Sequence, residues 1–330
     1  MQQVDYFRMV DAVDNPATIQ YAYAPSIIFQ DNVYHVFFCS GGNISPAWDY
    51  IRYTKSEDGG QTWSVPVDML HATAYGGMDL SACDPSVVYF QGFYYMYYGS
   101  AVTNATNVYQ TVVQIARSTA IDGPYLTYTQ RGTWEDTPTD PQVIIQPLVT
   151  RTEQPSGYGA GQPSAVVVNG KIRLWYSDDS LMPGASGDWG SYRLYLLESS
   201  DPVTWTPDKN RVTNIYGEDS PDVKYEPNTQ MYIATWIQNM FTNGASLVRA
   251  SSTDGLTFGK TQVLIYGIPD GSFPPFSNNV GDTSDSSGNL IPSAAQRIIG
   301  FGKPLSQNAI DAGHWDMDGF FENQLPQDGL

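Results

Sequence analysis

The stretch Asp84-Pro85-Ser86-Val87-Val88-Tyr89-Phe90-Gln91-Gly92-Phe93-Tyr94-Tyr95-Met96-Tyr97-Tyr98 decides the fold. Two apolar runs flank the pair Gln91-Gly92, which is typical of a tight turn, so the stretch predicts two antiparallel strands. Its apolar residues follow one another without alternation, which indicates strands that are covered on both faces. A carboxylate precedes the first strand, ahead of a proline that restricts the backbone at that point.

The same unit recurs along the chain. Four copies of its first strand align on a proline: Ala24-Pro25-Ser26-Ile27-Ile28-Phe29, Asp84-Pro85-Ser86-Val87-Val88-Tyr89, Gln162-Pro163-Ser164-Ala165-Val166-Val167 and Ser220-Pro221-Asp222-Val223-Lys224-Tyr225. Each copy continues through a turn into a second apolar run, a third run that ends in serine, a turn with an aromatic residue, and a fourth strand. Four strands per repeated unit are typical of a β-propeller.

A degenerate fifth copy covers residues 276–302 and lacks its own last strand. The N-terminal run from Val4 to Val13 is able to supply that strand and close the ring, and a closed ring leaves no exposed sheet edge. The sequence therefore predicts an all-β fold: a five-bladed β-propeller with four-stranded antiparallel blades, closed by an N-terminal strand. In this interpretation, residues 1–330 form a single domain with blades at 20–72, 80–130, 161–214, 215–266, and 272–310 plus 4–13.

Two segments lie outside these blades. The insertion 131–160 is too long for a simple connection, which makes it a candidate wall or lid of a site. The tail from Asp311 to Leu330 is predicted to cross the ring.

The charge balance restricts the partners. The 330 residues carry a formal net charge of −18, which argues against binding to nucleic acid or to an anionic membrane. It is compatible with a neutral substrate or with bound cations, and its simpler interpretation is solubility. The sequence contains no apolar run long enough for a transmembrane helix. Its aromatic-rich, lysine-poor composition favours a secreted or periplasmic protein whose signal peptide has been removed, and the oligomeric state stays open.

The two cysteines, Cys39 and Cys83, form no metal-ligand pattern. They fall on adjacent predicted blades that bring them close together. A disulfide and two buried thiols both fit, and the thiols are the favoured interpretation.

Propeller geometry predicts where a site lies. Residues just before the first strand of each blade surround a funnel on one face, and the loops between second and third strands open on the same face. The predicted catalytic residues there are Asp84, Glu218 and Asp219, and the predicted substrate-binding residues are Tyr23, Trp48, Asp49, Gln162, Asp178, Asp179 and Trp189. Sugar rings stack on aromatic faces, and neighbouring carboxyl groups with separated pKa values act as acid and base.

Structural interpretations compete with these roles. Asp84 is able to cap its own turn, as aspartate often does before proline. The equivalent positions carry Ala24, Gln162 and Ser220, however, so the turn itself does not require aspartate. Glu218 and Asp219 have the simpler interpretation of solvated loop charges.

A second motif predicts the fold without predicting chemistry. Ser56-Glu57-Asp58-Gly59-Gly60-Gln61-Thr62-Trp63 matches the Ser-x-Asp-x-Gly-x-Thr-Trp box of sialidase-type propellers. Asp58 is expected to accept hydrogen bonds from the turn N–H groups, and Trp63 is expected to pack between sheets. This turn is predicted to lie on the face opposite the funnel.

The Asp-Pro-Ser motif, together with Ala116-Arg117-Ser118 before Asp122-Gly123-Pro124-Tyr125, resembles the five-bladed glycoside hydrolases of families 43, 32 and 62. The resemblance implies an Asp base or nucleophile on the first blade, a second orienting Asp, and a Glu acid on a later blade. Asp84 matches the Asp-Pro motif, and Glu218, beside Asp219, is the counterpart of the acid.

The first blade departs from the family pattern, because Ala24 stands where the family has its aspartate. Either Asp178 or Asp179 supplies the missing group, or the protein does not hydrolyse by this route. The resemblance also implies a structural Ca²⁺, for which Asp282 and Asp285 are candidate ligands. No cofactor is expected for the reaction itself.

The leading hypothesis is a glycoside hydrolase that acts on a polysaccharide or its oligosaccharides through paired carboxylates in the funnel. The alternative is a non-catalytic glycan-binding propeller, which the alanine at position 24 motivates. A third hypothesis, a protein-interaction propeller, expects a flat apolar face, and the polar loops argue against it.

Overall fold

The structure, a computed structural model, describes residues 4–12, 21–42, 48–73, 79–103, 109–149, 158–180, 192–216, 220–267, 273–275, 277–304 and 314–325. Within these ranges the chain is built from strands, with two short 3₁₀ helices at Ala294–Gln296 and Glu322–Gln324. No helix among the described residues is long and apolar enough to cross a membrane.

The strands form five units in chain order. After β1 (Phe7–Val10), unit 1 contains β2 (Ala22–Gln30), β3 (Val33–Gly41), β4 (Asp49–Ser56) and β5 (Val67–His71). Unit 2 contains β6 (Cys83–Phe90), β7 (Phe93–Thr103), β8 (Tyr109–Ser118), β9 (Leu126–Tyr128) and β10 (Trp134–Glu135). Unit 3 contains β11 (Ala160–Val168), β12 (Lys171–Asp178), β13 (Arg193–Ser199) and β14 (Val212–Tyr216). Unit 4 contains β15 (Asp222–Glu226), β16 (Met231–Gln238), β17 (Ser246–Ser252) and β18 (Gln262–Ile265). Unit 5 contains β19 (Asn278–Ser284), β20 (Ile298–Lys303) and β21 (Asp316–Phe321), with β1 at its outer edge.

Strands within each unit are antiparallel neighbours in chain order, apart from β1. Units 1 and 5 also join into one eight-stranded sheet, because β19 pairs with β2 in parallel at Thr283–Ile27 and Ser284–Ile28. The all-β prediction is confirmed. The count of five blades and the closure of the ring stay predictions here.

The end of the chain differs from its prediction. Residues after 311 were expected to cross the ring, but β21 lies inside the sheet of unit 5, between β20 and β1. Ion pairs of Asp318 in β21 explain why this strand is able to lie inside the sheet. Arg8 Nε of β1 and Lys303 Nζ of β20 lie 2.5 and 2.8 Å from its two carboxylate oxygens. Two cations from the flanking strands thus neutralise a carboxylate that the sheet buries.

The core is divided into clusters that lie between consecutive units. Ile28 and Phe37 of unit 1 pack with Val87 and Met96 of unit 2, for example. Similar clusters lie between units 2 and 3, units 3 and 4, and units 4 and 5. A further cluster joins unit 5 to unit 1 through residues such as Ile298. Both faces of most strands are therefore covered, as the continuous apolar runs predicted.

The serine that follows the proline links neighbouring units. Ser26 Oγ accepts a hydrogen bond from Val87 N at 3.2 Å, and Ser86 Oγ accepts one from Ala165 N at 2.9 Å. Ser164 Oγ likewise accepts from the backbone of unit 4. Since a buried N–H without a partner costs roughly 1–3 kcal/mol, the repeated Pro-Ser pair fixes how each first strand sits against the next.

The box around Asp58 has the structural role predicted for it. Its carboxylate accepts hydrogen bonds from the hydroxyl and backbone of Thr62 and from Ser56 and Gln61. These bonds, led by the Thr62 hydroxyl, lower the pKa of Asp58 to about 2. Trp63 contacts the buried cluster between units 5 and 1.

The insertion after unit 2 contributes to the core as well as to the surface. Trp134–Glu135 add a fifth strand to the sheet of unit 2, so this sheet extends past the predicted boundary at 130. Ile145 is fully buried and its backbone pairs with Val113 of β8. The far end of the insertion, at Tyr158, reaches the candidate site described next.

Candidate active site

The first strands of the five units start in one unusual conformation. One residue within two positions of each start has a left-handed φ between 34° and 53°, and these five residues are Ala24, Asp84, Gln162, Ser220 and Asn279. This region is sparsely populated by residues other than glycine, although Asp and Asn tolerate it better than most. All five line one cavity of about 30 Å³, which is room for roughly one water molecule. Asp84 is the one acidic side chain of the five.

Neutral donors face the Asp84 carboxylate. Asn279 Nδ2 donates to Asp84 Oδ1 at 3.2 Å and to Ser220 Oγ at 2.8 Å. The Tyr158 hydroxyl lies 3.5 Å from Asp84 Oδ2. The Asp84 carboxyl group is therefore held by neutral hydrogen-bonding groups at the centre of the five strand starts.

Asp84 also lines a larger cavity of about 330 Å³, which we name the Asp84 pocket. The predicted residues Tyr23, Trp48 and Asp49 line this pocket as well. Trp48 is 39% exposed, which is unusual for a side chain of its size. The remaining lining residues are Ser81, Cys83, Gly99, Ser100, Ala101, Gln110, Thr111 and Tyr158.

Asp49, the first residue of β4, is a second carboxyl group in the Asp84 pocket. It is 7% exposed, and its two oxygens accept hydrogen bonds from the hydroxyls of Tyr21 and of Ser81, the latter at 2.7 Å. Burial raises the pKa of Asp49 to about 6, although both hydrogen bonds act in the opposite direction. Asp49 therefore exchanges its proton at a pH close to neutrality.

The two carboxyl groups lie close to a common sulfur atom. A carboxylate oxygen of Asp49 lies within 4.8 Å of Cys83 Sγ, and Asp84 Oδ1 lies 3.5 Å from it, so these oxygens are at most about 8.3 Å apart. Paired carboxyl groups in glycosidases are separated by roughly 5 to 9.5 Å. The upper limit of about 8.3 Å for the pair in the Asp84 pocket falls within this range.

The sulfur belongs to a disulfide between Cys39 and Cys83, so the favoured prediction of two thiols is wrong. Cys39 in β3 pairs with Tyr23 near the start of β2. Cys83 is the first residue of β6 in the next unit, and the two units are adjacent, as the sequence suggested. The Tyr23 hydroxyl donates to Cys83 Sγ at 3.0 Å. The disulfide therefore ties β3, the second strand of unit 1, to the start of β6, the first strand of unit 2, beside the pocket.

Reduction of this disulfide is expected to lower the free energy of unfolding by about 2–4 kcal/mol, since its 44-residue separation closes a long loop in the unfolded chain. Urea unfolding of the protein with and without a reductant measures the effect. A midpoint that the reductant leaves unchanged, with both thiols shown to be free, contradicts this prediction.

Other predicted residues lie outside the Asp84 pocket. Gln162 lines the small cavity beside it, together with Asp84. Asp178 and Asp179 are each 1% exposed, and their carboxylates accept backbone N–H bonds. Three predicted residues fall outside the described part of the chain: Trp189, Glu218 and Asp219.

Asp179 positions one wall of the pocket. Its carboxylate accepts hydrogen bonds from Tyr158 N at 2.6 Å and from Gly159 N at 2.8 Å. Asp178 binds the insertion at a second point in the same way, through Leu148 N at 2.9 Å. Burial raises the pKa of Asp178 to about 6. The pair thus anchors the insertion at Leu148 and at Tyr158, and Asp179 does so next to Asp84.

Asp179→Ala is expected to speed amide hydrogen exchange at Tyr158 and Gly159 by roughly tenfold to a hundredfold, because each loses its acceptor. Hydrogen exchange read by mass spectrometry on this peptide measures the change. Asp208→Ala, at an exposed turn, is the control. Equal protection in the variant and the wild type contradicts the anchoring role.

The two candidate calcium ligands have other partners. Asp282 is 1% exposed and pairs with Arg249, which lies 3.1 Å away. Asp285 accepts turn hydrogen bonds from Ser287 N and Asn289 N at 2.8 and 3.0 Å. In the described ranges neither belongs to a cluster of three potential ligands, and the calcium site stays a prediction.

The sequence interpretation missed three residues of the site: Tyr21, Ser81 and Tyr158. Tyr21 and Ser81 act through Asp49, and nothing in their spacing indicates this. Tyr158 lies four residues before Gln162 at the start of unit 3, and its aromatic ring there was a usable signal.

Similar solved structures were found over nearly the whole chain. The catalytic domain of a GH62 α-L-arabinofuranosidase from Coprinopsis cinerea gives a TM-score of 0.62 at 13% identity, covering 98% of both chains. A family 117 glycoside hydrolase from Zobellia galactanivorans gives 0.61 at 15% identity, covering 96% of this chain and 90% of that one. A GH43_1 enzyme from Xanthomonas citri, complexed with xylotriose, gives 0.60 at 10% identity, covering 96% and 89%.

The fold is that of these glycoside hydrolases. The resemblance to families 43 and 62 is thereby confirmed as a likeness of fold. No family model matches the sequence. No curated protein matches it either.

Proposed function

We propose that the protein is a glycoside hydrolase that binds its sugar in the Asp84 pocket. One observation carries this proposal: the pocket combines two carboxyl groups, at most about 8.3 Å apart, with the 39% exposed side chain of Trp48. Glycosidases use such a pair, one member ionised and one protonated. The glycoside hydrolases of the same fold support it further.

The five units form a closed five-bladed ring in this proposal. The cyclic order of the apolar clusters supports it, with the last one between units 5 and 1. The single cavity lined by all five strand starts supports it too. A ring explains how Asp84 and Asn279, which are far apart in sequence, come to share one hydrogen bond.

Asp84 is the carboxylate that acts at the anomeric carbon, as base or nucleophile. Asn279 donates a hydrogen bond to it and the Tyr158 hydroxyl lies 3.5 Å away, and these contacts hold the carboxyl group in place for this role. Glu218 and Asp219, predicted as the acid, stay predictions. Trp48 and Tyr23 offer the aromatic surface on which a sugar ring stacks.

The names of the similar structures support a proposal for the substrate class. Three of them are α-L-arabinofuranosidases, and another was solved with xylotriose. We therefore propose arabinose- or xylose-containing oligosaccharides as the substrates. The Cys39–Cys83 disulfide supports an oxidising compartment, such as the periplasm or the exterior.

Product release tests the proposal. Wild-type protein is incubated with 4-nitrophenyl α-L-arabinofuranoside, 4-nitrophenyl β-D-xyloside, xylotriose and arabinoxylan, and nitrophenol or reducing sugar is measured. Release from at least one of these substrates, absent from a heat-denatured control, is expected. No release from any of them contradicts the assignment.

One observation favours a second candidate, a glycan-binding protein without catalysis. Ala24 is 5% exposed and occupies a strand start where a carboxylate is missing. This alternative expects micromolar to millimolar xylotriose affinity by calorimetry with no product after prolonged incubation. Sugar release removes it.

A further inference from the structure

The proposal above counts the buried Asp49 carboxyl as one of the two carboxyl groups of the Asp84 pocket but gives it no step of its own in the reaction. Strand β4 begins at Asp49, directly after the exposed Trp48, so the carboxyl group sits beside the surface on which a sugar would stack. Hydroxyls of Tyr21 and Ser81 fix its orientation from two different segments of chain. A carboxyl group that only stabilised the fold would not need to face a cavity of about 330 Å³.

We propose that Asp49 is the proton donor to the leaving group in the Asp84 pocket, an inference that rests on the proposed function. The glycosidic C–O bond breaks with its electron pair on the leaving oxygen, which takes the Asp49 proton. Water forms the new bond to the anomeric carbon and gives a proton to Asp84. Exchange with solvent then returns the proton to Asp49, so that one water is consumed per bond cleaved.

The surroundings of the two carboxyl groups suit these opposite roles. Burial raises the pKa of Asp49 to about 6, so a large share of the molecules hold its proton in weakly acidic solution. Asp84 is instead faced by an amide N–H of Asn279. Separated proton affinities within one pocket are the usual basis for assigning an acid and a base.

The other titratable groups near Asp49 are mostly neutral. Tyr21 and Tyr23 face it, and burial raises the pKa of both hydroxyls far above the working range. Cys83 cannot ionise, because it is bonded to Cys39. Among the described residues that line the pocket, Asp84 and Tyr158 are the remaining titratable groups. Asp84 therefore supplies the negative charge that Asp49 would meet if it lost its proton.

A comparison of leaving groups tests the donor role. Asp49→Asn is expected to lower kcat/KM for xylotriose or methyl glycosides by about 10³-fold, and for 2,4-dinitrophenyl α-L-arabinofuranoside or β-D-xyloside by less than about tenfold. The dinitrophenolate leaves without a proton, so it does not need the acid. A purely structural residue would lower both rates alike, and that result overturns the inference.

Further variants distinguish Asp49 from Glu218, the other candidate for the proton donor. Glu57→Gln, on an exposed turn, is expected to leave every rate unchanged. If Glu218→Gln shows the leaving-group pattern and Asp49→Asn does not, Asp49 is not the donor, while the proposed function stands. A wild-type enzyme inactive on all these glycosides overturns both proposals.

The pH profile gives a second test that needs no change at Asp49 itself. Since the protonated form is active, the rate should fall as pH rises through the pKa of Asp49, near 6. Ser81→Ala removes a hydrogen bond to the ionised form, which raises this pKa, so the alkaline limb should move to higher pH. An alkaline limb that does not move contradicts the donor role.

An NMR titration is independent of turnover. The ¹³C carboxyl resonance of Asp49, identified by its absence from Asp49→Asn or its shift in Ser81→Ala, is expected to titrate near pH 6 in the wild-type protein. A midpoint near the ordinary aspartate value of about 3.9 would overturn the inference while leaving the proposed function intact.

Discussion

Replacing Asp84 by asparagine is expected to lower kcat/KM by about 10³-fold on every substrate that the protein cleaves, whatever its leaving group. Asparagine keeps the size of the side chain and tolerates the left-handed φ of 49° at this position. It removes the charge that acts at the anomeric carbon. Steady-state kinetics on aryl and natural glycosides measure the loss.

Asp254→Asn is the matched control, since it makes the same exchange in a turn whose carboxylate accepts backbone hydrogen bonds. Its activity per folded molecule should equal that of the wild type. Undiminished turnover in Asp84→Asn would move the catalytic group elsewhere, and the funnel account of the site would fail.

Arg249→Met is expected to lower the free energy of unfolding by about 3–5 kcal/mol, the largest loss of stability that we predict. Arg249 is 2% exposed and pairs with Asp282 at 3.1 Å and with Glu322 at 2.5 Å. Methionine fills similar space but leaves Asp282 buried without its cation. Urea unfolding followed by tryptophan fluorescence measures the change.

An exposed ion pair supplies the comparison. Arg131 and Glu135 lie 2.8 Å apart, but their side chains are 57% and 38% exposed. Because solvent screens such a pair, Arg131→Met should cost less than about 1 kcal/mol. Equal losses in the two variants would contradict the role assigned to burial around Arg249.

The repeated Pro-Ser motif made much of this fold predictable. Continuous apolar runs indicated strands covered on both faces, and Ser26 and Ser86 link neighbouring units through their hydroxyls. The last strand, Asp316–Phe321, was not predicted because aspartates occupy its first and third positions, and aspartate usually lies at the surface. Arg8 on β1 and Lys303 on β20 neutralise Asp318 and so allow this strand to be buried. The sequence does not show these ion pairs, because the partners lie on other strands.

Part of the candidate site, Asp84 and Trp48, was predictable from the repeated units of the sequence. Asp84 stood out because its equivalents carry other residues, and Trp48 because its polar loop gave it no core to fill. Asp178 and Asp179 have the right residue type in the right loop, but they anchor an insertion. The hydrogen bond from Tyr158 N to Asp179 depends on where the insertion rejoins the sheet, and no local sequence pattern predicts that position.

The most direct test of the central claim is a crystal structure of Asp84→Asn soaked with xylotriose or an arabinoxylan oligosaccharide. The account predicts a sugar ring against Trp48, with its anomeric carbon between positions 84 and 49 in the Asp84 pocket. A sugar bound instead in the cavity of about 490 Å³ lined by Glu226 and Arg297, with the Asp84 pocket empty, would contradict it.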